Sequence, residues 1–198
     1  MFKNLRSIAL STVFWSLLTP TVSAQVNLGT NVLYDLAMLP SLSVEVGLAD
    51  RLSLVGSATY GSMEGWPYRQ GVRMGTADVE LRRWTKNSIP MRRGYHVGAY
   101  VAAYHYDVKS GSTGWQARFN WGVGFNWGCM APISNRLGLG FTLGIGYVGG
   151  SYKKYEESKD LYHHNVWEGD YNRTYFGPTK VELSLIWHIG SAGKGGAR

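Results

Sequence analysis

Hydrophobic and polar residues alternate along residues 115–130 and again along residues 137–152. The odd positions are mostly large apolar or aromatic residues, and the even positions are mostly Gly, Asn and Thr. Residues 131–136 interrupt the pattern with Pro, Ser and Asn, which favour a turn. A period of two over this length predicts two β-strands, each with one apolar face and one polar face.

Alternation of this kind along the rest of the chain predicts eight strands in all, and no apolar run after residue 24 reaches the length of a transmembrane helix. The fold class expected is all-β, an eight-stranded antiparallel transmembrane β-barrel of the outer-membrane type, over residues 25–190. Short and long connections alternate along the chain, as they do in bacterial barrels with short periplasmic turns and longer outer loops. The longest outer loop is predicted over residues 153–173. The predicted strands cover residues 25–35, 41–49, 51–62, 72–85, 94–107, 115–130, 137–152 and 174–189.

The apolar face is predicted to point outward, into lipid. The Trp and Phe side chains of two strands alone would overfill the interior of a small barrel. The Gly, Asn and Thr face suits a narrow hydrated lumen better than a water-exposed surface, which is normally rich in Lys and Glu. The outward sets include Val32 and Tyr34 in the first strand and Ala117 in the sixth.

Aromatic residues at the strand ends predict two girdles at the lipid–water boundaries. Trp84 breaks the parity of its strand, so a β-bulge would be needed to turn it outward. The girdle residues are Tyr34, Tyr60, Trp115, Tyr147 and Tyr175 at the outer end, and Tyr95, Trp127 and Trp187 at the periplasmic end.

Composition agrees with one barrel domain. The chain has 198 residues, 26 of them Gly, and 14% are aromatic, a combination common in β-barrels. The single cysteine, Cys129, excludes an internal disulfide. The formal net charge is +7, and a basic cluster over residues 82–93 surrounds one predicted turn. We interpret this cluster as a solvated turn near anionic headgroups, and we expect no nucleic-acid partner.

Residues 1–24 are typical of a cleaved secretory signal peptide. Lys3 and Arg6 precede an apolar core over residues 8–18 that is too short to span a bilayer, and small residues follow at 22–24. The mature chain is therefore predicted to cross the inner membrane and reach the bacterial outer membrane. Residues 191–198 are predicted to form a flexible tail.

Charged residues at inward positions predict a polar network in the lumen. Unpaired charges would be costly in so narrow a space, so we expect ion pairs and hydrogen bonds that fill the barrel. A proton or solute path through the lumen is the alternative. The predicted network contains Glu45, Asp78, Glu80, Arg82, Arg118, Lys180 and Glu182.

The predicted outer loop combines aromatic residues with a histidine pair. Exposed aromatics at this density indicate contact with a partner protein, a glycan or lipopolysaccharide, against the alternative of local packing on the barrel rim. The two histidines could join a metal or hydrolase site, but no ligand spacing typical of zinc is present. The contact candidates are Tyr155, Tyr162, His163, His164 and Trp167.

No catalytic, metal or cofactor motif is found elsewhere in the sequence. The glycines over residues 138–150 follow strand parity and do not form a dinucleotide fingerprint. We therefore predict no catalytic residue, no metal and no cofactor.

Five phrases resemble a known family: Asn31–Asp35, Pro40–Val46, Asp78–Trp84, Phe141–Gly150 and Phe176–Leu183. Together they are similar to small outer-membrane β-barrel proteins of Bacteroidetes, a DUF3575-like family of unknown function. The resemblance covers nearly all of the mature chain and implies an outer-membrane location. Members are often encoded near fimbrial or other surface-assembly genes, which implies an accessory role there. It supplies no catalytic residues.

The leading functional prediction is a non-enzymatic outer-membrane barrel that serves as a structural or interaction scaffold. Its expected partners are outer-membrane lipid, lipopolysaccharide and a surface-assembly protein. Since folds do not fix function, three alternatives stay open. They are a small enzyme acting on lipid A or phospholipid with His163 or His164 as base, a narrow solute channel, and a soluble ligand-binding barrel, which the Trp-rich face argues against.

Overall fold

The computed structural model describes residues 26–65, 70–86, 93–111, 113–157 and 165–189. The predicted signal peptide and the predicted tail lie outside the described residues.

Eight antiparallel strands form one closed barrel in chain order. Each strand pairs with the next, and β1 pairs with β8 to close the ring. The prediction of an all-β antiparallel fold is confirmed, and each predicted strand is present. The elements are β1 (Val26–Asn31), α1 (Val32–Leu36), β2 (Ser41–Ala49), β3 (Leu52–Gly65), β4 (Gln70–Trp84), β5 (Gly94–Ser110), β6 (Thr113–Pro132), β7 (Leu137–Glu157) and β8 (Asn165–Ile189).

The strands differ greatly in length, from 6 residues in β1 to 25 in β8. The β1–β8 ladder therefore ends at the pair Asn31–Ser184, and the β2–β3 ladder ends at the pair Ser41–Thr59. Beyond these two pairs only β3 to β8 continue, as a curved sheet that is no longer closed. We call the closed part the lower barrel and the continuation of β3 to β8 the upper sheet.

The lower barrel exposes its apolar side chains and buries its polar ones. Phe125 is 72% exposed, while the carboxylate side chain of Glu80 is fully buried. The alternation seen in the sequence is thus a real alternation of faces, with the outward face apolar. Large outward side chains include Leu54, Val79, Leu81, Tyr95, Val97, Val101, Trp121, Val123, Phe125, Trp127, Leu143, Ile145, Val181 and Trp187.

Residues 32–36 form the short helix α1, so the prediction that they continue the first strand is wrong. The Asn31 side chain accepts a hydrogen bond from the Leu33 backbone N–H at 3.2 Å and caps the helix. Asn is a favoured N-cap because its side chain pairs a backbone N–H that the first helical turn leaves free. Tyr34 consequently lines a cavity inside the rim and not the outer aromatic girdle. No helix in the described part of the chain is long and apolar enough to cross a membrane.

The predicted outer loop over residues 153–173 is largely strand. β7 continues to Glu157 and β8 begins at Asn165, with Tyr152 stacked on Tyr171 at a ring distance of 5.5 Å. The sequence of this segment is mostly polar or aromatic at both odd and even positions, so it lacks the hydrophobic alternation that predicted the lower strands. Ladder hydrogen bonds extend the hairpin regardless of side-chain pattern.

A bulge in β6 inverts the predicted orientation of Ala117 and Trp115. Tyr104 of β5 pairs with Asn120, but Tyr106 pairs with Ala117, so β6 carries one extra residue between these pairs. A one-residue shift moves every following side chain to the other face. Ala117 is therefore only 1% exposed, and Trp115 shares its face.

A second irregularity, between Gly144 and Ile145 of β7, inverts the predicted orientation of Tyr175. Tyr175 pairs with Val148, while Phe176 pairs with the outward Tyr147 and is 72% exposed. Tyr175 thus lies on the inner face of β8, and Phe176 takes the outward place that the sequence analysis gave to Tyr175.

Candidate functional site

A buried ion-pair cluster lies in the lumen of the lower barrel. Its centre is Glu80 on β4, which accepts two hydrogen bonds from Arg82, Nε to Oε1 at 2.7 Å and Nη2 to Oε2 at 3.1 Å. Lys180 of β8 donates to Glu80 Oε2 from across the barrel at 2.9 Å. A buried carboxylate is stable only when it is paired and hydrogen-bonded in this way.

Lys180 connects three carboxylates. Besides Glu80, its Nζ lies 2.8 Å from Asp78 Oδ2 and 3.4 Å from Glu182 Oε1. The same ammonium lies 5.3 Å from the ring centre of Tyr100, within cation–π range. One lysine on β8 therefore ties the β4 acids to the opposite wall of the barrel.

A second hydrogen-bonded layer lies nearer the short turns. Glu45 of β2 accepts hydrogen bonds from Asn27 Nδ2 and from Trp84 Nε1, each at 3.2 Å. Trp84 Nε1 also lies 2.9 Å from Ser53 Oγ, and Asn27 Oδ1 lies 2.7 Å from His188 Nδ1. This layer links β1, β2, β3, β4 and β8 through side chains alone.

Trp84 points into the lumen, so the outward turn considered from the sequence does not occur. The β3–β4 and β4–β5 registers are continuous up to this residue, and no bulge rotates it. The indole packs with Met130 and Ile186 in a small apolar cluster and lies 4.8 Å from the ring of His96. The alternation along β4 predicts the inward orientation of Trp84, and the common place of Trp in an aromatic girdle does not apply to this residue.

The structure brings six of the seven predicted network residues into the lumen. Four are acids and two are bases, and the side chain of the seventh, Arg118, lies outside the described residues. Neutral side chains also lie in the lumen, where strand parity predicts them, although the predicted network contained charged residues alone. These are Asn27, Ser53, Trp84, His96, Tyr100, Thr142 and His188.

Two cavities lie above the ion pairs. The deeper cavity, of about 40 Å³, is polar and is lined by Tyr34, Asp78, Lys180 and Glu182 among others. A larger one of about 260 Å³ opens at the inner face of the upper sheet, and both cavities share Tyr104 and Thr179. We call the larger cavity the vestibule.

The predicted outer-loop group is only partly described. Tyr155 donates a hydrogen bond to Asp107 Oδ1 at 2.7 Å, and burial together with this hydrogen bond raises the pKa of its phenol to about 12. Trp167 occupies the β8 position paired with Tyr155, but its side chain lies outside the described residues. Tyr162, His163 and His164 also lie outside the described residues.

The lumen can hold charges and waters in fixed positions, but its ionised groups already have partners. In the described ranges, no group of three His, Cys, Asp or Glu side chains is arranged to hold a metal ion. The geometry therefore indicates a structural network, with the two cavities above it.

The fold and the lumen define a class of protein, a small antiparallel β-barrel with an apolar exterior and a charged, filled interior. The chain belongs to the family described as "Protein of unknown function (DUF3575)", whose model matches residues 9–189. No curated protein and no solved structure matches the chain.

Proposed function

We propose that this protein is a non-enzymatic outer-membrane β-barrel that holds an interaction sheet at the cell surface. The observation that carries the proposal is the inverted distribution of side chains in the lower barrel. Phe125 and Trp127 are exposed on its outside, while Glu80 and Lys180 are buried inside. Water would make this exterior unfavourable, and hydrocarbon would make it favourable.

The height of the apolar band supports insertion into a bilayer. On β5, the outward positions run over nine residues from Tyr95 to Ala103. Nine residues at ~3.3 Å each, tilted by ~40° from the barrel axis, span about 23 Å. Outer-membrane barrels carry an apolar band of ~25 Å.

Aromatic pairs at both ends of the band support the same placement. Tyr95 stacks on Trp127 near the short turns, with ring centres 5.8 Å apart. Trp121 packs against Tyr147 toward the upper sheet, with ring centres 5.7 Å apart. Aromatic girdles of this kind lie at the two lipid–water boundaries of outer-membrane barrels.

The upper sheet supports the interaction role because it has two open edges. Of the described strands, none pairs with β8 on the β1 side before Ser184, and none pairs with β3 on the β2 side beyond Thr59. Unpaired backbone N–H and C=O groups on such edges can accept an added strand from another protein. An extended segment of a surface-assembly protein, for example a fimbrial one, is the partner that we propose.

Cell fractionation tests the membrane part of this proposal. The mature chain is expected in the outer-membrane fraction, and it should migrate faster in SDS gels before heating than after, as folded barrels do. Recovery as a soluble periplasmic protein would contradict the proposal.

Site-specific photo-crosslinking tests the interaction part. A crosslinker at the exposed Asn172 of β8 is expected to capture a surface protein, whereas one at Arg136 in the opposite turn is not. Capture at both positions or at neither would contradict a partner on the β8 edge.

The lipid enzyme and the narrow channel stay predictions from the sequence. An altered lipid profile after His163→Ala with His164→Ala would favour the enzyme, and conductance in planar bilayers would favour the channel.

A further inference from the structure

The vestibule has the form of a small-molecule site. It occupies about 260 Å³ on the inner face of the sheet, between β4 and β8. Its walls are largely apolar and aromatic, and the mouths of β-barrels are frequent ligand sites. Five wall residues matter here: Met74, Tyr104, Tyr106, Val148 and Tyr175.

The ring of Tyr175, one of the aromatic residues of the wall, is held in place by two contacts within β8. The Tyr175 hydroxyl donates to the Pro178 carbonyl at 3.2 Å, and its ring lies over Gly177, where an added Cβ would come within 2.8 Å of the ring. A ring held in this way offers a preformed surface for stacking, at low entropic cost to a ligand.

Two polar groups face the same space at one level of the sheet. Asn120 of β6 pairs in register with Gly150 of β7, which pairs with Arg173 of β8. Side chains at paired positions share a face, so Asn120 and Arg173 flank a residue that has no side chain. A Cβ at position 150 would lie 2.0 Å from Asn120 Oδ1, so the amide oxygen lies over the bare glycine, toward β8.

Within the described part of the protein, Asn120 Oδ1 has no hydrogen-bond donor and the Arg173 guanidinium has no carboxylate partner. Asn120 is only 3% exposed, and its Oδ1 accepts no hydrogen bond from any described residue. Arg173 is exposed and forms no ion pair with a described carboxylate. A buried acceptor without a donor is uncommon in folded proteins because it has lost its water without gaining a partner. Both groups line the vestibule, which gives a ligand access to them.

We propose that the vestibule binds a small aromatic anion whose ring carries a hydrogen-bond donor. The ring stacks among the tyrosines, the donor pairs with Asn120 Oδ1, and the anionic group pairs with the Arg173 guanidinium. This site goes beyond the scaffold role, and ligand binding there needs no partner protein, because all its walls are residues of this chain.

Calorimetric titration of the full chain, folded in detergent, tests the proposal with three probes. Indole-3-acetate has the ring, the N–H donor and the carboxylate. Tryptamine reverses the charge, and 1-methylindole-3-acetate removes the donor. Saturable binding is expected for indole-3-acetate, with about tenfold weaker binding for the probe that lacks the donor and weaker binding still for the cation.

Two variants assign the contacts. Arg173→Gln is expected to weaken indole-3-acetate binding about three- to tenfold, because the ion pair is partly solvated. The matched control Arg136→Gln, in the turn at the opposite end, should leave binding unchanged. Asn120→Leu should weaken indole-3-acetate binding about tenfold but leave 1-methylindole-3-acetate binding unchanged, since the two changes remove the same hydrogen bond.

Val148→Trp fills the cavity without removing either polar group, and it should abolish binding of all three probes. The proposal is overturned if the native chain shows no saturable binding of indole-3-acetate, or binds the three probes equally. It is also overturned if Arg173→Gln binds as the native chain does. These outcomes are independent of membrane fractionation, so failure here leaves the outer-membrane proposal to its own test.

Discussion

The lower barrel and the upper sheet are made from the same strands, yet their side chains follow different rules. In the lower barrel the outward face is apolar, and the inward face holds buried ion pairs such as Glu80 with Arg82. In the upper sheet, polar and aromatic residues lie on both faces, and the ion pair Lys153–Asp170 is exposed with its atoms 3.9 Å apart. The difference is the one that the proposed placement requires, with lipid around the lower barrel and water around the upper sheet.

Breaks in strand register lie at more than one height of the wall. β5 and β6 shift between Tyr104 and Tyr106, and β7 and β8 shift beyond Gly144 and again beyond Lys154. The shift at Gly144 and Ile145 lies within the apolar band, because Ile145 pairs with the outward Phe125. Register breaks therefore occur inside the apolar band as well as above it, while the outward face of the band stays apolar.

The largest expected effect comes from breaking the lumen network. Glu80→Leu leaves Arg82 and Lys180 buried without their shared carboxylate and should lower the free energy of unfolding by about 3–5 kcal/mol. Asp170→Asn in the upper sheet removes one partner of an exposed pair and should cost less than ~1 kcal/mol. Urea unfolding in lipid vesicles measures both, and equal losses would erase the distinction between the regions.

A charge on the outward face should have the next largest effect. Phe125→Lys places an ammonium in the middle of the apolar band and should destabilise the inserted barrel by about 2–4 kcal/mol. Ile133→Lys, in the exposed turn at the barrel end, is the matched control and should be nearly neutral. The same vesicle assay applies, and a neutral Phe125→Lys would argue that water covers this face.

Trp84→Phe tests the inward orientation of this residue. The change keeps an aromatic ring but leaves Glu45 and Ser53 without the indole N–H, at an expected cost of about 1–3 kcal/mol. Trp127→Phe on the outside removes no described hydrogen bond and should cost less. A larger loss for Trp127→Phe, by the same unfolding measurement, would contradict the lumen assignment.

The smallest effect is expected in the upper sheet. A Cβ at Gly114 would lie 2.1 Å from Tyr155 Cζ, so Gly114→Ala must displace the ring that bonds Asp107. Global stability should change by less than ~1 kcal/mol, because the sheet opens locally, but limited proteolysis of the hairpin should become faster. Gly71→Ala, whose Cβ would meet nothing within 4 Å, should leave the proteolysis rate unchanged.

The sequence predicted the features that depend on neighbouring residues, and it did not predict the contacts between residues far apart in the chain. The alternation from Trp121 to Trp127 needs only neighbouring residues, so strand identity and face were readable. The contact between Glu80 and Lys180 joins strands a hundred positions apart, and its level is set by register around the whole ring. Parity places both residues inside, but it does not bring them together.

Other features depended on signals that were weak or overridden. The Asn31 cap that begins α1 stands in the sequence, but the alternation of its neighbours predicted a strand. The bulge between Ala117 and Asn120 has no glycine or other marker at its extra residue. The vestibule depends on this bulge and on the absence of a side chain at Gly150. Its position could therefore be recognised only once the pairing of β6 with its neighbouring strands was known.

Accessibility of nitroxide labels to oxygen and to a water-soluble nickel complex tests the central claim most directly. Phe125→Cys and Asn172→Cys are labelled separately in a Cys129→Ser background and folded into lipid vesicles. The label at position 125 should collide with oxygen and be protected from nickel, whereas the label at position 172 should be open to nickel. Equal nickel access at both positions would contradict a lower barrel immersed in lipid.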